Sequence, residues 1–153
     1  MGLLLLENEL RDDERTKILV DDESVEYGTP HHFMVTSPKA DENNEFQVLT
    51  DIVFQKGPVR EVGVNGCSNE DLLSIVLCRL MNLQDTVYAC KENDKAIEKI
   101  EEALLWLHKR TELRKRANVE GTSKFAGNEY IIQAQQAQTV SPDQEEFQTN
   151  VTE

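Results

Sequence analysis

The sequence predicts an α+β fold: a small N-terminal antiparallel β hairpin or sheet, followed by a long antiparallel helical hairpin that oligomerises. Three observations carry this. Two runs rich in Phe, Val, Thr and Ile, residues 31–37 and 45–55, flank the turn-forming stretch Pro38-Lys39-Ala40-Asp41-Glu42-Asn43-Asn44. Further on, Leu72, Leu73, Val76, Leu77, Leu80 and Met81 recur at intervals of three and four, as do Ile97, Ile100, Ala103, Leu104, Leu107 and Thr111. Finally, residues 91–116 contain neither Gly nor Pro.

The elements follow in order. Residues 1–30 form an acidic arm, with Asp12-Asp13-Glu14 and Asp21-Asp22-Glu23 around the apolar triplet Ile18-Leu19-Val20, which reads either as a weak edge strand or as a disordered arm. Residues 31–66 form the small β subdomain. Pro58 lacks a ladder donor and Gly57 permits a turn, so the second strand ends there, and Asn65-Gly66 is the next turn. Residues 67–122 form the helical hairpin. Ser68 and Asp71 have capping-box spacing at its start, and a loop from Gln84 to Ala89 separates the two helices. Two such helices have limited area of their own to bury, so packing against a further copy is expected. Residues 123–153 are polar and expected to be mobile, with a short helix around residues 130–138 as the exception.

Charge narrows the function classes. The chain has 153 residues and a net charge of -13, unevenly spread: residues 54–124 hold 12 basic against 11 acidic side chains, and the remainder 4 against 18. Acidic ends repel a long phosphate backbone, while a local basic cluster can still hold a small phosphate ligand. The apolar run at residues 3–6 is too short for a signal-peptide core or a membrane span, which points to the cytoplasm. Cys67, Cys78 and Cys90 match neither a metal pair nor a disulfide framework, and read as reduced, mainly structural thiols.

The most informative cluster is Lys109, Arg110, Arg114, Lys115 and Arg116 at the end of the second helix. Arg110 and Arg114 share a face and continue the packing stripe of Ala103 and Leu107. They suit bidentate phosphate contacts, or they simply complement the helix dipole. Asn93 either caps the helix start or reads a base or ribose edge. Tyr88 offers a stacking face to a base or closes the hairpin core, and Trp106 reads as core or interface. His31 and His32, adjacent on a strand, point to opposite faces. Catalytic machinery is thin. No zinc site, serine triad or phosphate-binding loop can be assembled from this order of residues, so no enzyme, metal or cofactor is expected.

Several motifs occur in fixed order: FQKGPVREVGVNG at residues 54–66, NEDLL at 69–73, CKEN at 90–93, EALLWLHKRT at 102–111 and NVEGT at 118–122. This series resembles the Thoeris anti-defence family and its shorter all-helical relatives, the anti-CBASS cyclic-nucleotide sponges of phages. The resemblance implies a phage protein, acting in the bacterial host cell, that sequesters 1''-3' glycocyclic ADP-ribose without cleaving it. It also implies a homohexamer, and in some members a second site for cyclic oligonucleotides. Carried onto this chain, it places Asn93 and Arg110 at the ligand, with Arg114 one turn later, Lys56 and Arg60 as further phosphate contacts, and Tyr88 or Leu83 stacking on the base. The rival reading is a helical scaffold or adaptor whose acidic ends bind a basic protein. A third, a nucleotide hydrolase, would alter the ligand.

Overall fold

Strand pairing organises the N-terminal half of the computed structural model, which describes residues 2–6, 15–21, 28–42 and 45–124. Strands β1 (Leu3–Leu5), β2 (Lys17–Asp21), β3 (His32–Thr36) and β4 (Val48–Val53) form one antiparallel sheet in the order β1-β2-β3-β4. Side chains alternate across a strand, so the register sorts them into two faces. Leu4, Val20, Phe33 and Ile52 fall in one cross-strand row, because Leu4 pairs with Val20, Val20 with Phe33 and Phe33 with Ile52. Phe33 meets Phe54 edge-on at 5.5 Å on that face, a favoured aromatic geometry.

The sheet is larger than the hairpin expected from residues 31–55. Ile18, Leu19 and Val20 belong to an inner strand, neither an edge nor an arm, because Leu3–Leu5 pairs along their outer side. The short apolar run near the start therefore has a structural use, supplying the edge of the sheet. The β3–β4 register shifts between Val35 and Thr36.

The helical half follows the periodic signal. Helix α1 (Val59–Val62) is a single turn, which the sequence reading did not anticipate. Helix α2 (Asn69–Gln84) begins with the expected capping box: Ser68 Oγ accepts from the Asp71 amide at 3.1 Å, and the Asp71 carboxylate accepts from the Ser68 amide at 2.8 Å. The Ser68 amide foremost, and the Ser68 hydroxyl, which donates to the same carboxylate at 2.8 Å, hold the Asp71 carboxyl below its ordinary range. Helix α3 (Lys91–Arg116) carries acidic residues in its first turn and Arg114, Lys115 and Arg116 in its last, matching the helix dipole at both ends.

The two long helices pack side by side. Leu72, Leu73, Leu77 and Leu80 on α2, and Ile97, Ile100, Ala103, Leu104 and Leu107 on α3, are half-buried along the facing stripes. No residue of either helix is fully buried, and Ile75, Val76, Met81, Leu105 and Trp106 are exposed. Among the described residues no helix is long and apolar enough to cross a membrane.

His32 ties three strands together on the opposite sheet face from Phe33. Its Nε2 lies 2.5 Å from Asp51 on β4 and its Nδ1 lies 3.3 Å from Asp21 on β2. The hydrogen bond with Asp51, assisted by that with Asp21, raises the imidazole above its ordinary value of 6.5. A raised histidine contributes stability that is fully present below pH 6.5 and is lost as pH climbs through the folded-state value. Thermal unfolding followed across pH 5.5–8.5 should thus show a decline above about 6.5 that a His32→Gln variant lacks. Equal pH slopes for the two proteins would contradict the assignment.

Candidate ligand-binding site

The site begins with a backbone lock between the end of β4 and the start of α2. Phe54 and Cys67 form a parallel bridge, with the Gln55 amide donating to the Cys67 carbonyl at 2.8 Å and the Cys67 amide to the Val53 carbonyl at 2.9 Å. Gly66 crosses directly over this strand. A Cβ on it would lie 2.4 Å from the Phe54 carbonyl carbon and 2.7 Å from the Gln55 nitrogen, so only glycine fits.

Two amides close the intervening loop. Asn65 accepts from the Lys56 amide and donates to the Lys56 carbonyl, both at 2.8 Å. Gln55 accepts from the Asn65 amide at 3.0 Å and donates to the Gly63 carbonyl at 2.9 Å. Each side chain imitates a strand partner, and together they hold α1 in place. The FQKGPVREVGVNG motif is accounted for largely by this architecture.

Helix α1 in turn anchors the chain after α3. The Arg60 amide donates to the Gly121 carbonyl at 2.9 Å, and Ser123 donates its amide and hydroxyl to Glu61 at 2.8 and 2.9 Å. The Ser123 bonds, the backbone one foremost, lower the exposed Glu61 carboxyl. From the other side, Arg114 Nη2 donates to the carbonyls of Val119 and Thr122 at 3.0 and 2.9 Å. Gly121 takes a positive φ of 71° where its backbone meets the Arg60 side chain.

Between sheet and helices lies an open cavity of about 610 Å³, within the usual range for small-molecule sites. Arg110, Thr111 and Arg114 of α3 form one wall, Phe33 and Phe54 of the sheet another, and the Gly57-Pro58 turn and Ser68-Asn69 the floor. Thr29, His31, Gly121 and Thr122 complete the rim. Guanidinium groups beside aromatic rings can receive a ligand that is anionic in one part and flat in another.

Tyr88 and Asn93 lie elsewhere. Tyr88 is 72% exposed in the loop between α2 and α3. Asn93, in the first turn of α3, donates to the Tyr88 carbonyl at 3.4 Å, whereas Cys90 occupies the N-cap position. Asn93 therefore orients the loop rather than capping the helix. Arg110 lies seventeen positions after Asn93 on α3, roughly 25 Å along the axis.

The six residues singled out by sequence thus fall into two groups. Arg110 and Arg114 line the cavity, Lys56 and Arg60 flank it, and Tyr88 with Asn93 stands at the far end of the helical hairpin. Sequence reading missed the contributions of Phe33, Phe54 and Thr111. The T-shaped ring pair is a long-range contact with no signature in spacing. Trp106 is half-exposed, with the Lys109 ammonium 4.8 Å from its ring centre. Cys67 is half-buried, while Cys78 and Cys90 are exposed rather than packed inside. Among the described residues no group of three or more His, Cys, Asp or Glu is placed to hold a metal ion. The expected short helix at residues 130–138 lies outside the described residues.

Fold and cavity together define a class: a helical-hairpin protein joined to a small antiparallel sheet, with an arginine-walled cavity where the two meet. The family model "Acb2/Tad1, hairpin domain" matches residues 47–112. Thoeris anti-defense 1 of Bacillus phage SBSphiJ7 is 40% identical over 136 residues, spanning 76% of this chain and 96% of the relative. The chain belongs to the Thoeris anti-defence family. The similarity covers more of the chain than the motifs between Phe54 and Thr122 alone.

Because Gly66 sets the approach of β4 to α2, Gly66→Ala should destabilise the fold by about 2 kcal/mol or more. Denaturant midpoints of the two proteins measure this, and an unchanged midpoint would show that the lock is dispensable.

Proposed function

We propose that this protein is a phage anti-defence sponge, which binds a small cyclic nucleotide immune signal and holds it without cleaving it. Family membership supports the anti-defence role. The observation that carries the binding role is the arginine-walled cavity at one end of α3, paired with an exposed tyrosine and an asparagine at the other. The arginines suit a pyrophosphate, and the tyrosine suits an adenine face. A cyclic ADP-ribose, 1''-3' glycocyclic ADP-ribose foremost, combines both features, and cyclic oligonucleotides of the CBASS type share them.

The two groups are too far apart to serve one dinucleotide-sized ligand within a single copy. An antiparallel pair of hairpins, related by a two-fold axis on the exposed face at a level midway along α3 between Asn93 and Arg110, brings Tyr88 and Asn93 of one copy toward Arg110 of the other. The unburied faces of α2 and α3 favour such pairing, since exposed Ile75, Val76, Leu105 and Trp106 gain a partner. The family resemblance favours a homohexamer built from such pairs. In this reading Arg110 contacts phosphate, Arg114 carries the cavity wall, and Lys56 and Arg60 add positive charge at its mouth.

A sponge requires affinity and slow release, not proton transfer. Incubation with cyclic ADP-ribose isomers and cyclic di- and trinucleotides, followed by heat release and chromatography, should return the bound species unchanged. A chemically altered product would replace this reading with a hydrolase. No binding to any member of the panel would favour the scaffold reading. Arg110→Ala should lower affinity by about ten- to a hundredfold, the usual worth of a charge-assisted contact, with the oligomer intact by light scattering. Undiminished affinity would refute the role given to Arg110.

A further inference from the structure

The loop that carries Tyr88 is built around one side chain. Gln84 is the last residue of α2, and its amide reaches across to the first residues of α3. Its Oε1 accepts from the Cys90 amide at 3.0 Å, while its Nε2 donates to the Cys90 carbonyl at 3.0 Å and to the Asp94 carboxylate. Both backbone polar groups of one residue are thereby matched by a single amide, as if by a neighbouring strand. Cys90 is held extended, with φ -153° and ψ 160°, at the point where α3 must begin.

Cys90 has no side-chain cap of its own for the helix. The two ends of the Asp85–Ala89 segment are consequently fixed by Gln84 at one place. Inside that clamp, the Thr86 hydroxyl donates to the Leu83 carbonyl at 2.7 Å and accepts from the Tyr88 amide at 3.1 Å. Asn93 then takes the Tyr88 carbonyl from the helix side. Val87 and Tyr88 are 93% and 72% exposed, so burial does little to hold the loop in shape. Its conformation rests on hydrogen bonds, and Gln84 makes the bonds that close it.

We infer that Gln84 is the positioning residue of the base-recognition end of the site: it touches no ligand, but sets the loop from which Tyr88 and Asn93 act. This rests on the function proposed above. An exposed aromatic on an unfixed loop must be ordered on binding, at a cost in affinity, whereas a clamped one is presented ready-made.

Substitution separates positioning from simple stabilisation. Gln84→Ala preserves the helix, since alanine is a good helix former, and should reduce affinity for the tightest-binding cyclic ADP-ribose isomer by about tenfold. In a Tyr88→Ala, Asn93→Ala background the same change should cost nothing further, while combined with Arg110→Ala its effect should add in full. Gln84→Glu keeps the acceptor for the Cys90 amide but sets a carboxylate against the Cys90 carbonyl and Asp94. Its binding should be weak at neutral pH and recover as the new carboxyl protonates. Amide hydrogen exchange without ligand should show protection lost at Tyr88 and Cys90, and retained in β2 and β3.

If Gln84→Ala binds as tightly as the parent, or if its cost persists undiminished in the Tyr88→Ala, Asn93→Ala background, the positioning role is overturned. Unchanged exchange protection at Cys90 overturns it as well. A parent protein that binds none of the cyclic nucleotides overturns the reading of the site itself, and the role given to Gln84 falls with it.

Discussion

The contact on which the arrangement depends is the passage of Gly66 across the Phe54 carbonyl. Strand β4 and helix α2 can lie this close only where no side chain stands between them, and a Cβ would come within 2.4 Å of the backbone beneath. From that crossing, Gln55 and Asn65 lock the loop by pairing side-chain amides with backbone, and the loop presents α1. Helix α1 receives the chain returning from α3, through Arg60 to Gly121 and Ser123 to Glu61. Each step is a hydrogen bond to backbone, so little conformational freedom is left in the cavity wall. Arg114 secures the same loop from the helix side, and its guanidinium is structural before it is anything else.

Helix α3 sets the second constraint. It is one rigid rod of 26 residues with Arg110 and Arg114 near one end and the Tyr88–Asn93 pair at the other. A rod cannot fold its ends together, so a ligand that needs both groups is served only by pairing two rods in opposite directions. The proposed pairing would also cover apolar residues that the single chain leaves exposed on α2 and α3. Under that proposal ligand recognition and assembly would draw on one geometry, and so short a chain could enclose a dinucleotide-sized molecule.

The legibility of these features in the sequence follows their range. The helices were readable because their signals are local: the Ser68–Asp71 cap and the spacing of Leu72 through Leu80, then of Ile97 through Leu107, need no knowledge of distant segments. Charge obscured β2, since the acidic runs on either side of Ile18, Leu19 and Val20 suggested an arm, and only pairing with both Leu3–Leu5 and β3 makes it an inner strand. The turn at Gly57-Pro58 was visible, but α1 was not, because a single helical turn has no period to detect. Arg110 and Arg114 were identified as a pair, yet their different local situations were hidden: one is exposed at the cavity wall, the other committed to carbonyls beyond the helix end. Phe33 and Phe54 meet only through the sheet, at a sequence separation that no motif spans.

The distribution of polar bonds bears on why such a site would hold rather than transform its ligand. Glu70 and Glu120 line the cavity, Glu120 pairing with Arg60 at 3.7 Å, while beside it Glu61 accepts from Ser123 and Asp71 from Ser68. Hydrogen bonding and neighbouring charge favour ionised carboxylates, and for Glu61 and Asp71 the shift is downward, away from the near-neutral range a general acid requires. His31 stands at the rim, while His32 points to the other sheet face and is engaged by Asp21 and Asp51. A pocket walled by guanidinium groups and aromatic rings is suited to tight association with a ligand that is anionic in one part and flat in another. Its selectivity would then come from how rigidly the two ends of the paired hairpins are held apart, a distance set by α3 and by the clamp at Gln84.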